Sequence, residues 1–320
     1  MNQTIIKDVI HKFVHVPELC RKFMDTYEFN RLKRIKQLGL AHYVYPSATH
    51  TRFEHSVGVM CIAGKVATLL GNITEREKEL LQLAGLFHDA GHTALSHLMD
   101  YILEEKQIAP ELAHHEYRSI FIVKQINNRL KLLSDREIEM VSKMILGDVQ
   151  NEEKPFLFEI INNKEYGLDI DRLDYLQRDT YHIGGLPCFQ INYILGCLRI
   201  KDNRLALIKK ARSELETIYE TRKQLFFQVY RYKTVMKAEK IVRDIIEKLD
   251  ITGKWFEQNW LSLDDCRLHT MMEDKYPDLV DRLYTRKWND FDEDTRFDHV
   301  HSITKEEIEQ QLDKVRWTDF

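Results

Sequence analysis

The sequence predicts a mainly α protein, a helical bundle with at most one small β-hairpin, on three observations. Only 12 Gly and 6 Pro occur in 320 residues, too few for a many-turned β architecture. Apolar residues recur at helical rather than alternating spacing. Two Ser/Thr-x-x-Glu capping boxes open apolar runs, the signature of a helix start.

Taken in order, Val59, Ile62, Ala63, Val66, Leu69 and Leu70 place a helix from His55 to Leu70, which Gly71 closes. Thr74 with Glu77 opens the next, through Leu80, Leu83, Ala84 and Phe87. Ser134 with Glu137 opens another, ending near Gly147, and a further helix covers Asp169–Tyr181 before Gly184. Arg199–Ile208, centred on Lys201-Asp202-Asn203, is the hairpin candidate. From Ser213 to Leu249 no Gly or Pro interrupts a long helical stretch, and shorter helices follow at Leu263–Met272 and Asp278–Arg286. Lys305–Val315 reads as a charged helix without identifiable chemistry. With no repeat or linker in view, residues 1–250 are expected to form the main domain and 251–320 a short helical extension packed on it.

A formal charge of −4 is too mild to imply a nucleic-acid or membrane surface. An anionic ligand must therefore meet a local cluster of cations. Cys20, Cys61, Cys188, Cys197 and Cys266 are scattered, with no CxxC pair, which points to a reducing compartment. Neither a signal core nor a spanning apolar run is evident, so a soluble, intracellular, cytoplasmic protein is expected.

The chemistry concentrates in three stretches: Thr51-Arg-Phe-Glu-His55-Ser-Val-Gly58, Ala84-Gly-Leu-Phe-His88-Asp89-Ala-Gly-His92, and Asp169-Ile-Asp171-Arg-Leu-Asp174-Tyr175. An adjacent His-Asp pair on a helix points two ligand types about 100° apart toward one space. One more His and one more carboxylate complete a mixed nitrogen–oxygen site suited to manganese, iron or zinc rather than calcium. A lone His-Asp dipeptide is more often a structural hydrogen bond. Three such segments inside apolar helical patterns, where unpaired polar groups are costly, outweigh that alternative. His92 falls on the face of His88, and His97, Asp100 and His114-His115 follow. Histidines beside a metal and an anionic substrate are natural proton donors, although with 14 His some are incidental, His114 among them. Asp171, Asp174, Tyr175, Arg178 and Asp179 share one helical side, as do Arg222, Phe226, Tyr230 and Lys233 on the long helix. Faces mixing Arg, Lys and Tyr clamp phosphates and pack on a sugar; alone, they would read as solvated, salt-bridged faces.

At these residues the chain resembles the HD-domain deoxynucleoside triphosphate triphosphohydrolases, and most of all the members that also carry a SAM domain. The likeness starts near Asp25, is close at Arg31-Leu-Lys-Arg-Ile-Lys-Gln37-Leu38-Gly39, runs through the histidine motifs and Gly167–Gly184 to Thr221-Arg222, and fades near Trp288. The resemblance implies His55, His88, Asp89 and Asp171 as ligands of one transition metal, with magnesium accompanying the substrate phosphates. It implies His92 and His97 beside the scissile phosphate, and Asp100 with His115 as a catalytic carboxylate–imidazole pair. Arg52, Arg222 and Arg172 (standing for a family lysine) would hold phosphates; Gln37, Leu38 and Asp179 would line the deoxyribose, with Tyr175 and Tyr230 shaping its pocket. The implied reaction releases a deoxynucleoside and inorganic triphosphate, and a homo-oligomer, a dimer first, is implied as well. The alternatives are another HD phosphohydrolase, cutting a different nucleotide or phosphoester, and a non-catalytic nucleotide or nucleic-acid binder. In the SAM-bearing members an N-terminal pocket takes a regulatory guanine nucleotide. Asp25 matches its guanine-reading carboxylate, but Asn30 replaces a glutamine, Lys33 an arginine, and Thr4 stands where a lysine is expected, with Lys7 nearby. A weakened pocket and a shorter C-terminal lobe predict hydrolysis without GTP and without nucleotide-induced tetramers.

Overall fold

The computed structural model describes residues 4–185, 189–288 and 305–319. It is mainly α, and its helices begin where the local chemistry says. Thr51 caps Arg52–Leu70 through a capping box with Glu54, and Gly71 ends it at φ 71°. The boxes at Thr74 and Ser134 open Glu75–Phe87 and Asp135–Leu146, and the Asp169 carboxylate caps Ile170–Ile183. Arg52–Leu70 packs between Glu75–Phe87 and Ile170–Ile183, so the three expected motifs meet at the centre of the bundle. By length and a mean hydropathy of 1.3 this helix could cross a membrane. Its buried residues include Arg52 and His55, which instead make it the core helix.

The expected hairpin forms from β3 (Leu198–Lys201) and β4 (Arg204–Ile208). Asp202 and Asn203 turn it at φ 51° and 58°, as a two-residue hairpin turn requires. Two β features go beyond the expectation. Short β5 (Trp317–Thr318) pairs in parallel with β4. A second hairpin joins β1 (Thr4–Asp8) to β2 (Lys12–Val16), with Thr4 opposite Val16. Its turn carries no glycine signal, because Lys12 itself takes φ 66°.

The stretch expected as one helix over 213–249 is broken. Arg212–Leu225 passes into a π turn at Phe226–Tyr230, and Lys233–Leu249 starts afresh after Tyr232 turns extended at ψ 129°. The Arg231 N–H reaches back to the Phe226 carbonyl at 2.8 Å, an i→i+5 bond that inserts one residue into the turn. Phe226 and Tyr230 keep their shared face, whereas Lys233 is exposed and off it. The segment beyond residue 250 seats on these helices: Asp265–Lys275 and Pro277–Tyr284 pack on Lys233–Leu249, and Lys305–Lys314 packs on Arg212–Leu225. Cys20, Cys61, Cys197 and Cys266 are free thiols; Cys188 lies outside the described residues.

Candidate active site

The first turn of Arg52–Leu70 points His55 and Arg52 into the bundle, both buried. His88 follows the last turn of Glu75–Phe87, and its Nδ1–H donates to the Gly85 carbonyl at 2.8 Å. That bond leaves Nε2 as the nitrogen that could ligate a metal. His55 is set the same way, its Nδ1–H donating to Asp174 at 2.8 Å. The two Nε2 atoms then face each other at 3.2 Å, and Asp171 Oδ1 stands 2.9 Å from one and 3.3 Å from the other. Asp89 completes the ring, Oδ1 at 3.4 Å from His88 and Oδ2 at 3.6 Å from His55. Ligand atoms around an ion at about 2.1 Å stand roughly 3.0–3.4 Å apart, so two imidazoles and two carboxylates at these separations fit a transition metal.

The charges fit too. Burial opposes a proton on His55, but hydrogen bonds to Asp171 and Asp174 outweigh it and push its pKa up to about 10. Burial likewise disfavours charge on Asp171, yet the His55 and His88 bonds hold its carboxyl below the usual range. A centre that draws protons onto buried imidazoles calls for a cation.

A second layer of histidines lies beside the first. His92 is fully buried, stacks on His115 at 3.9 Å, and has no hydrogen-bond partner at either nitrogen. His97 stands edge-on to it at 4.8 Å, with its ring exposed. The His115 Nδ1–H donates to Asp100 at 2.8 Å; burial opposes its charge, but Asp100 prevails and raises its pKa. Arg118 binds the far side of Asp100 and the Gly91 carbonyl. Gly91 lies so close to His115 and Ser119 backbone that a Cβ would collide with both, which is why the second motif needs glycine between Asp89 and His92.

A cavity of about 320 Å³ opens on this cluster. Of the expected site residues, Gln37, Leu38, Arg52, Asp89, His97, His115, Asp171, Tyr175, Asp179, Arg222 and Tyr230 line it. His55, His88, His92 and Asp100 sit behind that surface. Arg172 does not line it; its guanidinium lies against Gly167, with Nε and Nη1 buried and unpartnered. Asp25, Asn30 and Lys33 lie outside the cavity. Asp25 accepts from Arg21 at 3.0 Å, the Asn30 amide donates to Met24 and Thr26 carbonyls, and the Lys33 ammonium sits 4.5 Å over Phe53.

Four residues that sequence reasoning did not single out complete the site. His50 Nε2–H donates to Asp179 at 2.7 Å, and Asp179 accepts from the Tyr230 hydroxyl at 2.6 Å. His11, from the β1–β2 turn, donates to Asp174 at 2.6 Å. Asp265 accepts the backbone N–H of Lys36 and of Leu95. It thereby clamps two cavity walls where Leu95 and Ser96 both hold positive φ, the kind of strain that surrounding contacts must maintain. Ser96 in turn bonds Arg52 at 3.1 Å.

A helical bundle whose centre gathers His55, the His88-Asp89 pair and Asp171 is the arrangement of an HD-domain phosphohydrolase, and residues 52–179 match the HD domain family. The chain is 30% identical to the deoxynucleoside triphosphate triphosphohydrolase SAMHD1 homolog of Dictyostelium discoideum over 98% of its own length and 62% of that protein's. It is also 30% identical to Homo sapiens deoxynucleoside triphosphate triphosphohydrolase SAMHD1, over 84% of this chain and 49% of the relative, and 32% identical to an HD domain-containing protein of Acanthamoeba polyphaga mimivirus, over 75% and 57%. Residues 52–179 are thus an HD domain, and along most of its length the chain is similar to deoxynucleoside triphosphate triphosphohydrolases. It spans about half to three-fifths of the length of these relatives.

Proposed function

We propose that the chain is a metal-dependent dNTP triphosphohydrolase, releasing the deoxynucleoside and inorganic triphosphate. The observation that carries this is the single cavity that joins the histidine–carboxylate ring to Arg52 and Arg222 and to the Tyr230–Asp179–His50 relay. It provides places for a metal, phosphates and a sugar in one space.

His55, His88, Asp89 and Asp171 would hold manganese, iron or zinc, and the bound ion would supply positive charge to the α-phosphate and lower the pKa of water. Arg52, 2.5 Å from Asp89, and Arg222 neutralise phosphate oxygens. Water adds to the α-phosphorus, the bond to the 5′ oxygen breaks, and that oxygen takes a proton. His115 and His97 both line the cavity as donors. The Asp100 bond orients His115 and favours its protonated form, which supports His115. Product chromatography with each dNTP tests the reading: triphosphate and deoxynucleoside are expected. Stepwise loss of terminal phosphate, or turnover of another phosphoester alone, would overturn it.

The relay supports selection against ribose. Asp179, held by His50, fixes the Tyr230 hydroxyl, and a ring so fixed leaves no room for a 2′-hydroxyl. Specificity constants should favour dATP over ATP by at least about tenfold, and His50→Ala should reduce that ratio by freeing Asp179. Equal constants for dATP and ATP in the wild type would remove the role. Since the Asn30 amide is engaged by the Met24 and Thr26 carbonyls and Lys33 lies over Phe53, we also propose hydrolysis without a guanine nucleotide. Initial rates and sedimentation should be the same with and without GTP; a large rate gain with tetramer formation would refute this.

A further inference from the structure

The cavity has a wall that the metal, phosphate and sugar roles leave unused. Lys233–Leu249 packs on the segment Gly39–Tyr43, and on its cavity side Val235 and Glu239, one turn apart, line the space with Arg231 and Tyr101. The charged neighbours of Glu239 are Arg231 and Arg243, not the histidine cluster. Among the described residues its carboxyl is given no hydrogen-bond partner, although it is half-buried in that wall. The Arg231 guanidinium lies 5.4 Å over the Tyr101 ring.

We propose that Glu239 and Arg231 form the base-reading end of this cavity and select guanine. The inference rests on the cavity being a nucleotide site. Guanine presents two adjacent N–H donors, at N1 and N2, and two adjacent acceptors, O6 and N7. A carboxylate answers the donors and a guanidinium answers the acceptors, each in a bidentate pair. Adenine keeps N7 but turns an acceptor, N1, toward the carboxylate, lacks the N2 amine, and puts an amine in place of O6 toward the guanidinium. Cytosine and thymine have neither the adjacent pair of ring N–H and amine donors nor an N7 beside a carbonyl. Burial raises the Glu239 carboxyl to about 7 against the lowering effect of Arg231 and Arg243, as expected of an acid whose hydrogen-bond partners come with the ligand.

The test compares dGTP with dATP at pH 8, where the carboxyl is ionised, in the wild type, Glu239→Ala and Glu239→Gln. A bidentate pair gives roughly ten- to a hundredfold discrimination. The wild-type ratio of specificity constants should therefore exceed tenfold and collapse toward one in Glu239→Ala, with a partial loss in Glu239→Gln. Calorimetric binding of dGMP and dAMP to the same three proteins gives a readout independent of turnover. A wild-type ratio near one, or a ratio unchanged in both variants, overturns the assignment. If no dNTP is hydrolysed but dGMP binds more tightly than dAMP and Glu239→Ala abolishes the difference, the triphosphohydrolase reading fails and the guanine site stands. If nothing is hydrolysed and the two monophosphates bind alike, both fail.

Discussion

Asp171→Ala should reduce turnover by at least about a thousandfold and lower the metal content of the purified protein from about one transition ion per chain. Asp171 brings one oxygen to both imidazoles, at 2.9 and 3.3 Å, so its loss opens the ring on two sides at once. Its side chain is 35% exposed, at the mouth of the cavity, and the helix that carries it is capped by Asp169, not by Asp171. The fold should therefore survive the substitution, and thermal unfolding of the metal-free protein checks this. Elemental analysis and triphosphate release are then read together. Full occupancy with full turnover in the variant would sink the metal assignment. Full occupancy with lost turnover would move Asp171 from ligand to a purely catalytic carboxylate.

How much of this was readable from the residues alone depended on sequence separation. Capping boxes act over three residues, so the helix starts at Thr74 and Ser134 are found where their chemistry puts them. The His88-Asp89 pair and the one-sided set on Ile170–Ile183 are likewise local patterns. The residues that escaped notice act at long range. His50 is 129 positions from Asp179, His11 is 163 from Asp174, and Asp265 is 170 from Leu95. No window of sequence contains both members of such a pair. Arg172 shows the opposite case: it shares the helix of Asp171, but its guanidinium lies against Gly167, and Arg172 is not among the residues that line the cavity. The break after Leu225 was hidden because a π turn needs no glycine or proline. Here the turn is fixed by contacts from elsewhere, Tyr230 on Asp179 and Tyr45 on the Gln228 carbonyl. The β1–β2 hairpin was hidden because its positive-φ position is a lysine.

Asp174→Ala should be the most destabilising single change near the site. The carboxylate is fully buried and accepts from His55 at 2.8 Å, His11 at 2.6 Å and Arg178 at 2.9 and 3.1 Å. Burial alone would raise its pKa, but Arg178, His11 and His55 together hold it well below the usual carboxylate range. Arg178 is itself fully buried and also bonds Asp8 at 2.8 Å, so the group ties the β1–β2 hairpin to His55, a proposed metal ligand. Removing the shared carboxylate leaves a buried guanidinium with one partner in place of two and orphans His11, at a cost of about 3–5 kcal/mol. At roughly 1.5 °C per kcal/mol for a chain of 320 residues, the midpoint of thermal unfolding should fall by about 4–8 °C. Metal affinity should also drop by about ten- to a hundredfold, because His55 loses the bond that sets its ring. Gly58 gives an independent probe of the same space. A Cβ there would run into Asp174 Oδ1 and Arg178 Nη2, so Gly58→Ala should cost about 1–3 kcal/mol by overpacking. In the Asp174→Ala background the colliding carboxylate is gone and Arg178 has lost the bond that holds it there, so Gly58→Ala should cost less. The two changes should therefore be strongly non-additive. Additive losses in the double variant, measured by denaturant unfolding, would mean that Gly58 and Asp174 do not share this space and that the hairpin is held to the site by other contacts.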